Sequence, residues 1–434
     1  FLDAFGYNRL GFNMQGPLIK GKDKNGTALL GYFIAGDINH NKDGRPTAIG
    51  VYKVKDDVLA GLKETPQRVS GSGYGVYPNA EFIRMDDLEH VKSTQNTENT
   101  SFSLSGNLNV RSTETTTLTF GGSMNYNNRR AYSYYGSLYN YENNPQVISS
   151  TWRAYGRFTQ RFPSDNESNS LIKNIYYSIH ADYSKTHNLT QDPIHKDNLF
   201  KYGYLGKFDT HTIRSYGVGD DTVTGMTDIW IHNGYFDTAY IFNKSEINSE
   251  VANYTQLYYD LYPDKWGNYF TEDGDGNWMN SDQVQLGGGL LNGQNPNAVY
   301  DLWANVGGKY NGYNIGDFEQ IGINAKFSAD IGKHEFQFGL SYEQRIDRGY
   351  GYAPTNLWGL MRGLTNFHIM QLDVENPQYV YRDNVFQDTI YYYRKYDDNS
   401  QRTFDYNLRQ KLGLPTDGTD FINIDSYDFD TYSI

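Results

Sequence analysis

The sequence predicts an all-β fold, specifically a segment of an antiparallel transmembrane β-barrel. Three observations predict it: long runs in which apolar and polar residues alternate, links between these runs that are alternately short and long, and a distinctive composition. The 434 residues include 40 Tyr and 44 Gly but only 12 Pro. Cys is absent, which excludes disulfides and thiolate metal sites.

Hydropathy and charge exclude two other classes of protein. Mean hydropathy is −0.71, and no run approaches the roughly 18 apolar residues that a membrane-spanning helix needs. The formal net charge of −13 argues against a surface that follows nucleic-acid phosphates, which would need clustered Lys and Arg. We therefore expect neither a helical membrane protein nor a nucleic-acid-binding protein.

Alternation is cleanest between residues 102 and 126. In the run 102–110, Phe102, Leu104, Leu108 and Val110 share one face, whereas Ser and Asn occupy the other. A turn-like stretch follows, and the same pattern resumes to Tyr126, which predicts a hairpin. Six further runs bring the predicted strands to eight: 174–183, 321–331 and 335–343, with weaker versions at 10–18, 29–38 and 151–162.

The length of these runs favours membrane strands over soluble ones. Clean runs of 9–13 residues exceed the roughly 5–6 of globular strands and match the roughly 9–11 of tilted membrane strands. Their apolar faces carry no charge, whereas Lys326, Asp330 and Glu335 fall on the polar face. A soluble domain with half-buried strands is the alternative.

The links between runs differ in length in a regular way. Short links join the strands of each pair, and long segments separate the pairs. The short links are 19–28, 111–117, 163–171 and 332–333; the long segments are 39–100, 127–150, 187–317 and 347–434. We expect the long segments to be extracellular loops. Loops of this length suit the rim of a wide barrel, and the abrupt ends of the sequence suggest a fragment of a longer chain.

Several segments, in their order, resemble TonB-dependent outer-membrane transporters of the SusC/RagA type from Bacteroidetes. The similar segments are residues 7–19 (YNRLGFNMQGPLI), 30–36 (LGYFIAG), 49–57 (IGVYKVKDD), 82–88 (FIRMDDL), 118–126 (LTFGGSMNY), 143–146 (NNPQ) and 152–161 (WRAYGRFTQR). The resemblance covers most of residues 1–350.

The resemblance implies a role for the parent protein. It implies a 22-stranded barrel in the bacterial outer membrane, an N-terminal plug, a TonB box that couples the plug to the inner membrane, and a surface lipoprotein lid of the SusD type. The resemblance implies import of a large nutrient of the glycan or peptide class. Plug, TonB box and closing strand are not recognised in this sequence, so TonB coupling would require the missing N-terminal region. Some SusC-like barrels act as scaffolds in outer-membrane assemblies, which is the alternative function.

No motif predicts catalysis. The sequence has no His-Glu-x-x-His zinc motif, no Gly-x-Ser-x-Gly nucleophile elbow and no phosphate-binding loop. We therefore expect no enzymatic activity. A third hypothesis is that the chain is a secreted lectin-like β protein, since such a protein can have the same aromatic-rich composition.

The long segment 187–317 is the best candidate for ligand binding. It contains four of the six Trp, which are Trp230, Trp266, Trp278 and Trp303. Flat aromatic faces combined with amides and carboxylates suit sugars or peptides. The alternative is that these rings form the small cores that long loops need to stay ordered.

Two acidic stretches are candidate calcium sites. Asp37, Asn39, Asn41 and Asp43 place oxygen donors at every second position, as do Asp273, Asp275 and Asn277. Neither completes an EF-hand loop, and Asn, Asp and Gly are also ordinary turn residues. Structural calcium is therefore a hypothesis beside that of a solvated turn, and no other cofactor is expected.

Overall fold

The computed structural model describes residues 5–21, 28–71, 75–164, 170–261 and 280–433, which form sixteen strands numbered here in chain order. Eight of these strands build one antiparallel sheet in which strands adjacent in the list below are paired. They are β1 Asn8–Lys20, β2 Ala28–Asn41, β7 Asn99–Arg111, β8 Thr116–Arg130, β9 Gln146–Phe162, β10 Ile172–Gln191, β13 Tyr313–Ile331 and β14 His334–Tyr352.

This sheet confirms the antiparallel β prediction, and its members are the eight predicted strands. The register sets Phe102 opposite Tyr126 and Leu104 opposite Met124, so apolar residues of neighbouring strands lie side by side. The strands are longer than predicted. Strand β10 continues to Gln191 because its backbone pairing persists after the apolar alternation is lost, for example where Lys185 lies opposite Glu319.

The apolar face of the eight-stranded sheet is exposed. Ile321 and Phe327 have relative exposures of 41% and 40%, and Phe338 and Leu340 reach 65% and 71%. Among the buried hydrophobic residues of the described segments, Ala329 alone belongs to this sheet. No second sheet therefore forms a protein core against this face within the described part of the chain.

The sheet is open, because β1 and β14 lie at its two edges and do not pair with each other. Cross-strand charge pairs lie on both of its faces. On the polar face, Arg153 lies 3.1 Å from a carboxylate oxygen of Asp182. The Lys185 ammonium lies 2.8 Å from Glu319, and the register places this pair on the apolar face, towards the end of the sheet from which the long connections leave.

The long segments expected as loops contain secondary structure of their own. A four-stranded sheet has the order β11-β12-β16-β15, and two small sheets pair β3 with β6 and β4 with β5. These strands are β3 Val51–Val54, β4 Gln67–Val69, β5 Val76–Pro78, β6 Leu88–Val91, β11 Gly206–Gly219, β12 Ile229–Lys244, β15 Gln378–Arg382 and β16 Val385–Tyr391. The helices are α1 Asp56–Glu64, α2 Ser249–Leu261, α3 Ser281–Leu286, α4 Asn356–Leu364 and α5 Thr403–Leu412. None of the described helices combines the length and apolar character needed to cross a membrane.

The buried core of the described residues lies in these connecting segments. One cluster includes Val54, Leu59, Leu62, Tyr139 and Tyr254, so it draws on three different connections. Helix α1 contributes Leu59 and Leu62, which are three residues apart and therefore share a helix face. Asp56 and Asp57 in its first turn interact favourably with the helix dipole.

Polar contacts join the connection 192–312 to the C-terminal segment 353–433. The Trp358 indole N–H donates to the carbonyl of Tyr202 at 2.9 Å. Asp425, 1% exposed, accepts two hydrogen bonds from the Arg362 guanidinium at 2.8 and 2.7 Å and a third from the Asn292 amide at 3.0 Å. These charge-assisted bonds fix the two segments against each other.

A buried ion pair in the C-terminal segment provides a test of this packing. Asp405 and Arg409 are both 0% exposed and lie 2.8 Å apart. We expect Asp405→Asn to lower the free energy of unfolding by roughly 3–5 kcal/mol, because it leaves the guanidinium buried without a counter-charge. Urea unfolding measures the loss.

The matched control is Asp347→Asn, which breaks a pair of the same 2.8 Å length with Arg345 on the surface of β14. Its expected cost is about 1 kcal/mol or less. Equal losses in the two variants would contradict the packing described for residues 403–412.

Candidate functional site

A partly open, mostly apolar cavity of about 370 Å³ lies between strand β3, the segment 85–95, the connection 131–145 and Trp303. We call it the aromatic cavity. Its aromatic lining residues are Tyr52, Tyr132, Tyr134, Tyr141 and Trp303. Its volume falls within the roughly 300–1,000 Å³ of ligand sites, and a predominantly apolar wall is typical of them.

Local pairing positions the walls of the aromatic cavity. Strands β3 and β6 pair antiparallel, with Val51 opposite Val91 and Val54 opposite Leu88. Val54 is fully buried in the core beneath, while Tyr52, two residues earlier on the same strand, remains 50% exposed. The buried end of β3 thus anchors one wall, and the exposed end leaves an aromatic ring at the surface.

The opposite wall contains a pair of aromatic rings. The ring centroids of Tyr134 and Trp303 lie 4.6 Å apart at an interplanar angle of 35°. Trp303 is fixed by a tight turn, in which its N–H donates to the carbonyl of Val299 at 2.9 Å. Tyr134 is 54% exposed, so the pair presents part of its surface to solvent.

Lys53 is the charged residue that lines the cavity, and its charge is compensated by two carboxylates. Its ammonium lies 2.5 Å from Asp56 and 2.7 Å from Glu89. Burial alone would lower the pKa of Lys53, but hydrogen bonds to Asp56 and Glu89 outweigh burial and hold the pKa above its ordinary value. Lys53 is therefore a cation whose partners lie outside the cavity lining.

The structure separates the two predicted tryptophans that it describes. Trp303 lines the aromatic cavity, whereas Trp230 lies on β12 of the four-stranded sheet and is 50% exposed. Trp266, Trp278 and the acidic stretch 273–277 lie outside the described residues. Sequence reasoning missed the cavity tyrosines, although the dense Tyr content of residues 132–141 was a signal that could have located them.

The predicted calcium donors begin on a strand. Asp37, Asn39 and Asn41 occupy alternate positions of β2, with Asp43 just beyond its end. Residues 37 and 41 are therefore about 14 Å apart along the strand. One ion with oxygen ligands at roughly 2.3–2.6 Å cannot contact both ends of this row, so the four donors do not form a single site.

The two carboxylates of the row have protein partners. Ser103 donates to Asp37 at 2.6 Å, and Asp43 accepts the backbone N–H groups of Arg45 and Thr94 at 2.9 and 2.7 Å. Within the described segments, no group of three or more His, Asp or Glu side chains is arranged to hold a metal. Calcium bound by a subset of the row stays a prediction.

Buried amide oxygens extend this row across the sheet. The Oδ1 atoms of Asn39 and Asn41 have no hydrogen-bond partner in the described part of the chain, and neither do those of Asn99 and Asn127. The register sets Asn99 directly opposite Asn41, whereas Asn39 and Asn127 flank Ser101 on either side. Sequence reasoning found only the β2 members, because the others come from strands β7 and β8.

The sequence matches no protein-family model, and a search of curated proteins finds no match. Function is therefore inferred from the fold and from the geometry of these sites.

Replacement of Trp303 and of Trp230 by alanine distinguishes a packed residue from an exposed one. We expect Trp303→Ala to lower the free energy of unfolding by about 2–4 kcal/mol, because Trp303 packs against the cluster that contains Val54 and Tyr139. Trp230→Ala should change it by about 1 kcal/mol or less. Urea unfolding of both variants checks this, and a larger loss in Trp230→Ala would contradict the assignment.

Proposed function

We propose that the chain forms part of the wall and outer rim of a β-barrel in the bacterial outer membrane. The parent protein would be a TonB-dependent transporter, similar to SusC and RagA, that imports a large nutrient of the glycan or peptide class. The observation that carries this proposal is the exposed apolar face of the eight-stranded sheet, which no described segment covers. Hydrocarbon would bury that face.

Strand length supports the proposal. The eight strands have 13 to 20 residues, more than the roughly 9–11 that a tilted strand needs to cross a bilayer. The additional residues would allow the paired strands β10, β13 and β14 to extend beyond the hydrocarbon layer. Charged residues at the ends of such strands then avoid the bilayer interior, where each would cost roughly 2–4 kcal/mol.

The open edges support a wall wider than eight strands. Strands β1 and β14, of 13 and 19 residues, each have one side without a partner strand in the described part of the chain. Long unpaired edges promote aggregation unless another strand covers them. Further strands pairing at both edges, as in a 22-stranded barrel, would remove this hazard.

The arrangement of the connections supports a binding rim. In an antiparallel meander, successive links lie at opposite ends, so the short links share one end and the long connections the other. The long connections carry the buried core and the aromatic cavity. In the proposed orientation they lie outside the cell, where they would meet the nutrient and a SusD-like lipoprotein, while TonB would act through an N-terminal plug.

A scaffold role is the second candidate, and one observation favours it. The hairpin of β15 and β16 exposes Tyr381 and Val385, both at 63%, together with Tyr379 at 41%. Clustered exposed apolar residues mark protein-binding surfaces. In this role the connections would hold partner proteins and the barrel would carry no nutrient.

Deletion of the gene in its source organism distinguishes the two roles. A transporter predicts that growth on one class of polymeric nutrient is lost and that the intact gene restores it. If the deletion strain takes up the nutrient normally but loses other proteins from its outer membrane, the transport proposal is wrong and the scaffold role is supported. A chain that is folded and soluble without detergent would contradict both roles and favour a secreted β protein.

Neighbouring positions on β14 test the membrane-facing surface. We expect Phe338→Arg to destabilise the chain folded in lipid by roughly 2–4 kcal/mol, because the guanidinium would face hydrocarbon. Gln337→Arg, on the polar face one residue away, should cost less than about 1 kcal/mol. Urea titration in lipid vesicles measures both values, and equal costs would contradict the proposed orientation.

A further inference from the structure

We propose that the aromatic cavity binds an uncharged aromatic ring, of the size of a tyrosine or tryptophan side chain. The site deepens the proposed transport function, since it would hold such a group of an incoming ligand at the outer rim. Three features of its wall select this chemistry: the ring surfaces, the compensated charge and the engaged hydrogen-bond donors.

The ring surfaces supply the attraction. Tyr134 and Trp303 form a tilted pair at 4.6 Å, and Tyr52 and Tyr132 line the same space with exposures of 50% and 47%. Aromatic rings favour offset or edge-to-face contacts with other rings at centroid distances of about 4.5–7 Å. A third ring entering the cavity would extend the existing pair.

The charge in the wall disfavours ionic ligands. Lys53 lines the cavity as an ammonium, so a cationic ligand would meet a like charge. An anion would compete with the carboxylates of Asp56 and Glu89, which already bind that ammonium at 2.5 and 2.7 Å. A neutral ligand avoids both costs.

Two side-chain amides and one serine hydroxyl in the wall are engaged with the backbone. Gln95 donates its amide to the carbonyl of Ser93 at 2.8 Å, and Asn144 donates to the carbonyl of Asn96 at 2.9 Å. The Ser137 hydroxyl donates to the carbonyl of Tyr134 at 2.7 Å. A sugar ring would need such donors for its hydroxyl groups, and leaving those groups unpaired would be costly. An apolar ring makes no such demand.

Isothermal titration of the purified full chain tests the proposal, with detergent present if the chain requires it. The neutral indole probe is N-acetyl-L-tryptophanamide, and methyl glucoside, benzoate and tetramethylammonium serve as the sugar, anion and cation. We expect saturable binding of the indole probe and at least tenfold weaker binding of the other three. Equal or tighter binding of any of these, or no saturable indole binding, would overturn the proposal.

Two adjacent tyrosines locate the binding. Tyr134 lines the cavity, whereas Tyr135, 61% exposed, does not. Tyr134→Ala should weaken indole binding roughly two- to tenfold through loss of one ring contact. Tyr135→Ala should leave the affinity unchanged. Equal effects of the two variants would overturn the location.

A variant at a second lining position tests the site independently, in case Tyr134→Ala fails to fold. Met85 lines the cavity and is 64% exposed, so Met85→Ser should also weaken indole binding while circular dichroism stays that of the unmodified chain. Unchanged affinity in a folded Met85→Ser would count against the site. Binding of the indole probe does not depend on transport. A titration without binding would therefore overturn the site but not the transport proposal, and an uptake experiment without effect would overturn transport but not the site.

Discussion

The apolar face of the eight-stranded sheet is the constraint on which the rest of the structure depends. Water cannot cover it favourably, because apolar surface costs about 25 cal/mol per Å² when it is solvated. The described protein does not cover it either, since Phe338 and Leu340 remain mostly exposed. A hydrocarbon surrounding would cover the face favourably, as we propose, and the backbone of each inner strand is already paired on both sides.

The connecting segments have the opposite organisation. Their side chains build buried clusters, and contacts such as Trp358 with Tyr202 join segments far apart in the chain. Packed connections can hold a cavity at a fixed geometry, which mobile loops cannot. The sheet therefore supplies a rigid frame with little core of its own, and the connections supply both a core and the candidate binding surface.

Part of this organisation follows from sequence. A period of two over 102–110 and 321–331 identifies both the strands and their apolar face, because side chains alternate strictly along a strand. The pairing of Tyr134 with Trp303 could not be predicted, since it joins residues of different connections. Strands β11 and β12 were not predicted from the sequence. In β11, residues 206–219 mix polar and apolar side chains without clean alternation. The spacing of the predicted calcium donors would let them converge in a loop, but three of them lie along strand β2, which their spacing alone could not show.

Spin labels placed one at a time at residues 336–342 of β14 test the central claim most directly. With the chain in lipid vesicles, collision rates with molecular oxygen, which concentrates in hydrocarbon, are compared with those of a water-soluble nickel chelate. The account predicts that oxygen dominates at Phe336, Phe338, Leu340 and Tyr342, and that its advantage falls at each intervening position. Labels at those four residues that are shielded from both reagents, or reached mainly by nickel, would contradict it.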